Sequence, residues 1–424
     1  MFILWIELQE EKSATPNNEG PHSNPLPGGE RGRVRDRIRK ASGERPYRQG
    51  MPFAIRPAQG IERKRAFPMD GKPVRIAIVG IGMWCKALAI VMQKSGAFKI
   101  VTCYTRTKAK REEFAAAFQC DQEASYEDVL RREDVEAILL TTPNSAHSEM
   151  TVLAANHGKH VMVEKPIANR VSDAKRMIEA CKKNGVVLSV AHNQRRLAGY
   201  RKIKAMVQEG SLGKIVTVET NFSHNGGFRL TPQMWRWYEE ECPGGPMMTL
   251  GVHPAETLRY LLGPVQSVSA FFNRLCLQTE IIDAGTAILQ FESGALGYLG
   301  SNFITPWVNY CHLYGTEANL YLTVDLPVRK PDETPGQYGD NWNYADRNSA
   351  LYLKRKGEDQ KIKVNLEPGE ILTEEVKEFA DCVRNHKVPE TGGPEAMQAL
   401  AVIVAAIRSA RTGEIISVAN VLAE

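Results

Sequence analysis

From Val74 the chain settles into a regular rhythm of apolar runs and helical periods. Val74-Arg75-Ile76-Ala77-Ile78-Val79 is the near-continuous apolar run of a strand covered on both faces. Gly80-Ile81-Gly82-Met83-Trp84-Cys85 follows at once, and Lys86 to Lys94 then reads as a helix closed by Gly96. The same alternation predicts strands at 98–104, 135–141, 159–164 and 186–191. Between them it predicts helices at 108–118, 126–131, 148–157 and 173–183, the last capped by Ser172 and followed by Gly185. Five or six β-α units in succession predict an α/β fold with a doubly wound parallel sheet. After 210 strand-like alternation dominates instead, at 215–222, 265–273, 284–291, 295–303, 310–315 and 319–324. Helical patterns recur at 254–262, 373–384 and 394–410.

Residues 1–72 break the rhythm. Pro, Gly, Asn and Arg dominate there, and no periodicity outlasts a turn. This segment carries 14 Lys and Arg against 9 Asp and Glu, whereas the other 352 residues carry 40 of each sign. The chain's net charge of +5 therefore lies entirely in the leader. A disordered leader is expected, or upstream sequence ahead of a true start at Met51 or Met69. The rest has no charge reason to seek nucleic acid or a membrane. No apolar run approaches the ~18 residues of a spanning helix. The eight cysteines are scattered without C-x-x-C spacing, so reduced thiols, a cytoplasmic location and no metal are expected. The domain boundaries expected are 1–72, 73–192 and 193–424.

Ligands on doubly wound sheets sit at the carboxyl ends of the strands. That edge carries Gly80, Gly82, Thr105, Arg106, Thr142, Pro143, Asn144, Glu164, Lys165, Pro166 and Asn193. The glycine turn between a strand and a helix is the setting in which backbone approaches a pyrophosphate. Its third position is Cys85 rather than Gly or Ala, yet Cys is small enough to keep helix and strand close.

Three strand ends together resemble the Gfo/Idh/MocA family of NAD(P)-dependent oxidoreductases: the turn at 80–85, Thr142-Pro143-Asn144-x-x-His147, and Glu164-Lys165-Pro166. The likeness runs on through Gly251-Val252-His253 to Arg408-Ser409-Ala410-Arg411-Thr412-Gly413 and covers residues 73–420. It implies a Rossmann domain followed by an α/β domain on a large, mostly antiparallel open sheet. An open sheet face invites a second subunit, so a homodimer or homotetramer is expected. The resemblance also implies cofactor contacts from Gly80, Gly82, Met83, Trp84, Thr105, Arg106, Thr142, Pro143, Asn144, His147, Glu164, Lys165 and Asn193.

Oxidising a carbinol requires a base that is neutral near pH 7. Lys165, at the sheet edge and followed by Pro166, is the choice for that base, and the resemblance gives the matching lysine the same duty. It places His253 where a histidine polarises or orients the substrate oxygen. Many sugar-oxidising members carry Asp four residues before that histidine; here the position is Thr249, which can hydrogen-bond but cannot act as a carboxylate base. Glu256 is expected to orient rather than react. Trp235 and Arg236, in an aromatic-rich segment, are expected against the substrate, with a packed loop as the alternative.

The cofactor expected is NADP, with NAD as the alternative. The second strand ends at Thr105-Arg106 where an NAD-selective domain places an acid, and no carboxylate occurs from Gly80 to Arg111. The reading is thus an NADP-dependent oxidoreductase acting on a hydroxyl or carbonyl of a small polar molecule, a sugar derivative or a hydroxylated ring acid. A non-catalytic NADP-binding sensor or assembly protein of the same fold is the competing reading.

Overall fold

The structure, a computed structural model, describes residues 71–325 and 346–424. The leader expected over 1–72 lies outside the described residues except for its last two positions. Strand β1 (Val74–Val79) is the centre of a six-stranded parallel sheet with β2 (Phe98–Tyr104), β3 (Asp121–Gln122), β4 (Ala137–Leu140), β5 (His160–Val163) and β6 (Leu188–Val190). Their spatial order is β3-β2-β1-β4-β5-β6. Order reverses beside β1, and a crevice opens there at the strands' carboxyl ends. Val79, Leu140 and Val163, the last residues of three central strands, are fully buried, so the backbone just beyond them is held on a rigid floor.

Helices α1 (Met83–Ser95), α2 (Lys108–Phe118), α3 (Tyr126–Arg131), α4 (His147–Asn156) and α5 (Val171–Lys183) connect these strands. α1 begins directly on the glycine turn, three residues before the hydrophobic pattern signalled it. α5 departs from its expected cap: Arg170 is the capping position and Ser172 already lies inside the first turn. Extended backbone at Arg170 starts the helix early enough to bury Val171 on its apolar face.

The second sheet has nine strands. Its central members are β7 (Ile215–Ser223), β8 (Val265–Asn273), β9 (Ala284–Phe291), β10 (Leu296–Asn302), β11 (Val308–Gly315) and β12 (Ala318–Thr323). The short strands β13 (Ala350–Arg355), β14 (Ile362–Val364) and β15 (Ile416–Ser417) complete it in the order β14-β13-β12-β11-β7-β10-β9-β8-β15. Only β7 and β10 pair in parallel; every other pairing is antiparallel. Helices α6 (Ala198–Gln208) and α7 (Val252–Leu262) pack on each other and on the turn at 194–196, while α8 (Ile371–Asn385), α9 (Gly393–Thr412) and α10 (Val418–Ala423) close the chain. α8 packs back on α1 and β1, and α9 spans from α5 and β6 to β8. At the return, Glu136 on the approach to β4 receives both Nη atoms of Arg384, at 2.7 and 3.0 Å. The same guanidinium also caps the Lys72 and Pro73 carbonyls. Among the described residues no helix is long and apolar enough to cross a membrane.

Candidate active site

The glycine turn is shaped by close backbone approach. Gly80 has φ +89°, and a Cβ there would stand 2.8 Å from the Thr141 carbonyl carbon and the Thr142 nitrogen. No side chain fits that position. Gly82 is the opposite case: a Cβ would meet nothing within 4 Å, and no side chain caps the helix that starts at Met83. Open space in front of uncapped helical N–H groups suits a diphosphate. Cys85 is fully buried between α1 and the sheet, and burial pushes its thiol up to about 12. It packs as the expected small residue and is inert as a thiolate.

The crevice beyond β4 and β6 is lined by polar atoms that are buried and unpartnered: Thr142 Oγ1, Asn144 Nδ2 and Asn193 Oδ1. Desolvated polar groups of this kind are stable only against a ligand or ordered water. They fit the hydroxyls and amide of a nicotinamide nucleotide. His147 is different. Its ring is wholly buried, with Nδ1 2.9 Å from the Pro166 carbonyl and Nε2 3.0 Å from that of Thr142. The neutral ring has one N–H to donate, so it bonds one of these carbonyls and packs against the other, fastening the β4 edge to the β5 edge.

At the end of β2, Arg111 reaches back from α2 and donates Nη1 to the carbonyls of Thr105 (2.7 Å) and Arg106 (3.3 Å). This brace holds the loop whose exposed cation is Arg106. On α2 and beyond, Glu112 pairs with Lys108, Glu113 with Lys86 and Glu123 with Arg132.

Glu164 and Lys165 leave β5 at the floor of the crevice. The Trp84 indole Nε1 donates to Glu164 Oε1, and burial pushes the Glu164 carboxyl up to about 7. Lys165 Nζ donates to the Thr249 carbonyl oxygen at 2.9 Å. A neutral acceptor does little to hold a full charge, and burial, reinforced by the Arg236 guanidinium, brings the ammonium down to about 8. Thr249 can present its carbonyl because Met247–Gly251 form a π-helical turn ahead of α7. Its own hydroxyl turns inward to the Gly245 carbonyl at 3.2 Å.

Three histidines surround this lysine. His253, on the first turn of α7, packs edge-on against His192 and tilted against Phe222. Burial drives His253 well below its ordinary range, His192 to about 3 and His224 to about 4, so all three are neutral near pH 7. Glu256, one turn along α7, is buried and ion-paired with Arg195, which also lies 3.5 Å from Glu390. The pair ties α7 to the turn after β6. Arg236 stacks 4.2 Å over the Trp235 ring, whose indole packs partly on the core. The following loop is tied to the Rossmann edge, since Ser145 donates to Glu241 Oε2 and Asn169 Nδ2 to the Glu241 carbonyl at 3.0 Å. Sequence reading passed over His192, His224 and Glu241. His192 sits one residue before Asn193 at a strand end and was legible there; the other two lie in loops without periodicity.

Comparison with known proteins agrees with this geometry. Residues 74–192 match a family model described as an oxidoreductase family with an NAD-binding Rossmann fold, and residues 200–321 match the GFO/IDH/MocA C-terminal domain. A 1,5-anhydro-D-fructose reductase from Ensifer adhaerens is 27% identical over 68% of this chain and 82% of its own length. An NAD+-dependent scyllo-inositol 2-dehydrogenase from Bacillus subtilis is 27% identical over 80% of this chain and 95% of its own. A solved structure of a candidate NADPH-dependent oxidoreductase from Desulfitobacterium hafniense superposes with a TM-score of 0.76 at 34% identity, covering 83% of this chain and 99% of that one.

Proposed function

Because this chain belongs to the Gfo/Idh/MocA family of NAD-binding oxidoreductases, we propose that it is an NADP-dependent oxidoreductase acting on a ring hydroxyl or carbonyl of a sugar derivative. A hydroxylated ring acid is the second substrate class. Lys165 carries the reading: its Nζ stands at the β5 edge, bound to a neutral carbonyl and poised near pH 8.

Bound nicotinamide supplies hydride acceptance and return. The chain's own groups do the rest. Thr142, Asn144 and Asn193 fix the nucleotide at the crevice, Gly80 and Gly82 leave room for its diphosphate, and Met83 and Trp84 open the helix that faces it. Lys165 takes the hydroxyl proton in oxidation and returns it in reduction. Neutral His253 hydrogen-bonds the reacting oxygen, and Arg236 and Trp235 wall the substrate side. His147 keeps the two strand edges in register. Thr105 and Arg106, on the Arg111-braced loop, receive the 2′-phosphate that distinguishes NADP.

The outward face of the nine-stranded sheet supports self-association. Phe271, Ile288 and Leu296 are exposed on three neighbouring strands, and a second copy of the same face would cover them. A panel of sugars, inositols and ring diol acids, read as NADPH absorbance and repeated with Lys165→Ala, tests the function. Tight NADP(H) binding without turnover on any of them would favour a sensor.

A further inference from the structure

We propose that Glu375 is a relay residue that connects the Glu164–Lys165 pair to solvent through Glu378, carrying out of the closed crevice the proton that Lys165 removes from the substrate. This rests on the reading of Lys165 as the base. Glu375 lies on α8, whose Leu372, Val376 and Phe379 form its buried face, and Glu375 shares that face with an exposure of 1%. Neither of its carboxyl oxygens has a hydrogen-bond partner. A bare buried carboxylate is strongly disfavoured, so the group holds a proton.

The charges facing Glu375 come from every side. Arg196 opposes the proton, from the turn after β6; Glu164 favours it, from the end of β5; Glu256 on α7 and Glu378 on α8 add to that. Burial with these acids brings the Glu375 carboxyl up to about 8, beside about 7 for Glu164 and about 8 for Lys165. Helix α8 packs on α1, whose Trp84 holds Glu164, so Glu375 and that carboxyl belong to elements fastened to the same helix.

The way out lies one turn along. Glu378 is 24% exposed, receives Arg196 Nη2, and accepts the Glu390 backbone N–H at 2.6 Å. Arg196 Nε and both amide atoms of Gln194 are buried and unpartnered, which is the polar lining that ordered water requires. In oxidation the substrate C–H electron pair leaves as hydride to the nicotinamide, and the O–H bond breaks as its proton joins the Lys165 lone pair. The ammonium passes a proton to the Glu164 carboxylate. Glu375 accepts that proton on one oxygen while releasing its own from the other toward Glu378 and bulk water. Each turnover delivers one hydride to the cofactor and one proton to solvent, and reduction runs the path in reverse.

Glu375→Gln keeps the shape and cannot release a proton. We expect kcat to fall at least about ten-fold, within the range of a lost acid-base step. The substrate KM and the NADP(H) dissociation constant should stay nearly constant, and the solvent deuterium isotope effect on kcat should rise. Glu375→Asp should recover part of the rate, and Glu378→Gln should show a smaller loss with the same isotope signature. An infrared difference spectrum across the titration should contain a protonated-carboxyl C=O band that Glu375→Gln removes. Unchanged kcat and isotope effect in Glu375→Gln overturn the relay. If that variant does not fold, wild-type values in both Glu375→Asp and Glu378→Gln overturn it equally. Lys165→Ala assayed alongside separates the two readings: turnover that survives it defeats the base assignment, whereas turnover lost with it but indifferent to Glu375 defeats the relay alone.

Discussion

The Trp84 indole and the Glu164 carboxylate meet across 80 positions of sequence, Nε1 donating to Oε1. One bond thereby joins the first turn of the helix on the glycine turn to the strand end that bears Lys165. The helix start proposed for the diphosphate and the charge beside the proposed base are thus set by the same contact.

Replacing the donor tests that contact. In Trp84→Phe the carboxyl loses the hydrogen bond that favours its ionised form, so its titration moves above about pH 7. The limb of the kcat/KM profile assigned to Glu164 should move to higher pH, with NADP(H) affinity weakened as well. An unmoved profile would show that the indole is only packing.

Lys165→Ala should lower turnover by ~10²–10⁴-fold while cofactor affinity stays within a few-fold, measured by stopped-flow and by fluorescence titration. In the wild type, oxidation should gain rate as pH rises through about 8, where the lysine sheds its proton, and reduction should lose rate over the same range. A variant keeping more than about a tenth of the turnover would remove Lys165 from the base position.

Thr249→Asp should impair the natural reaction. It adds a carboxylate to the residue whose backbone carbonyl holds the ammonium, where the side chain now meets the Gly245 carbonyl. The added negative charge favours the charged lysine and moves the oxidation limb to higher pH. Higher activity on the natural substrate near neutral pH would contradict this reading of Thr249.

Cofactor preference should rest on the β2 edge. Side-by-side kinetics should favour NADPH over NADH, and Arg106→Ala should reduce NADPH efficiency with little effect on NADH. Arg111→Ala should do the same indirectly, because the loop loses its brace. Equal use of both cofactors, unchanged in Arg106→Ala, would refute the assignment.

Arg384→Ala should destabilise the fold by up to ~3–5 kcal/mol at pH 7, since it leaves the buried Glu136 with only Arg75, whose Nε is 3.5 Å away. Burial alone would raise the Glu136 carboxyl, but the Arg384 guanidinium and the Arg75 N–H hold it below its ordinary range. A depressed acid stabilises the fold above its unfolded value near 4.5 and ceases to as pH falls through the folded value. The gap between the two melting curves should therefore narrow below pH ~4.5. A constant gap would mean that lost packing, not charge, is the cause.

Much of this was legible in the residues. The β-α rhythm from Val74 to Ala191 placed the parallel sheet, because strands buried on both faces read as unbroken apolar runs. α6 escaped notice although Tyr200, Ile203 and Met206 recur at helical spacing, being short and wedged between the two textures. β14 and β15, of three and two residues, were too short to show alternation, whereas β13 alternates at Leu351 and Leu353 and was passed over. At the site, the strand ends marked Gly80, Thr142, Glu164 and Lys165. Glu375 was harder, since a Glu-Glu-Val-Lys-Glu string reads as a solvated face. Its spacing from Leu372 and Phe379 nonetheless puts it on the apolar side, and only the packing of α8 shows that face to be covered.

The clasp of Arg384 on Glu136 also bears on synthesis. The two residues are 248 positions apart, so the cofactor-binding sheet leaves the ribosome long before its partner helix exists. At ~5–20 residues per second the wait is on the order of tens of seconds. During that interval the face of α1 and β1 that α8 will cover stays bare, and Glu136 has only the Arg75 guanidinium, 3.5 Å away, beside it. The nascent nucleotide-binding half thus carries a bare apolar face until translation is nearly finished, and the arrival of α8 closes that exposure to aggregation.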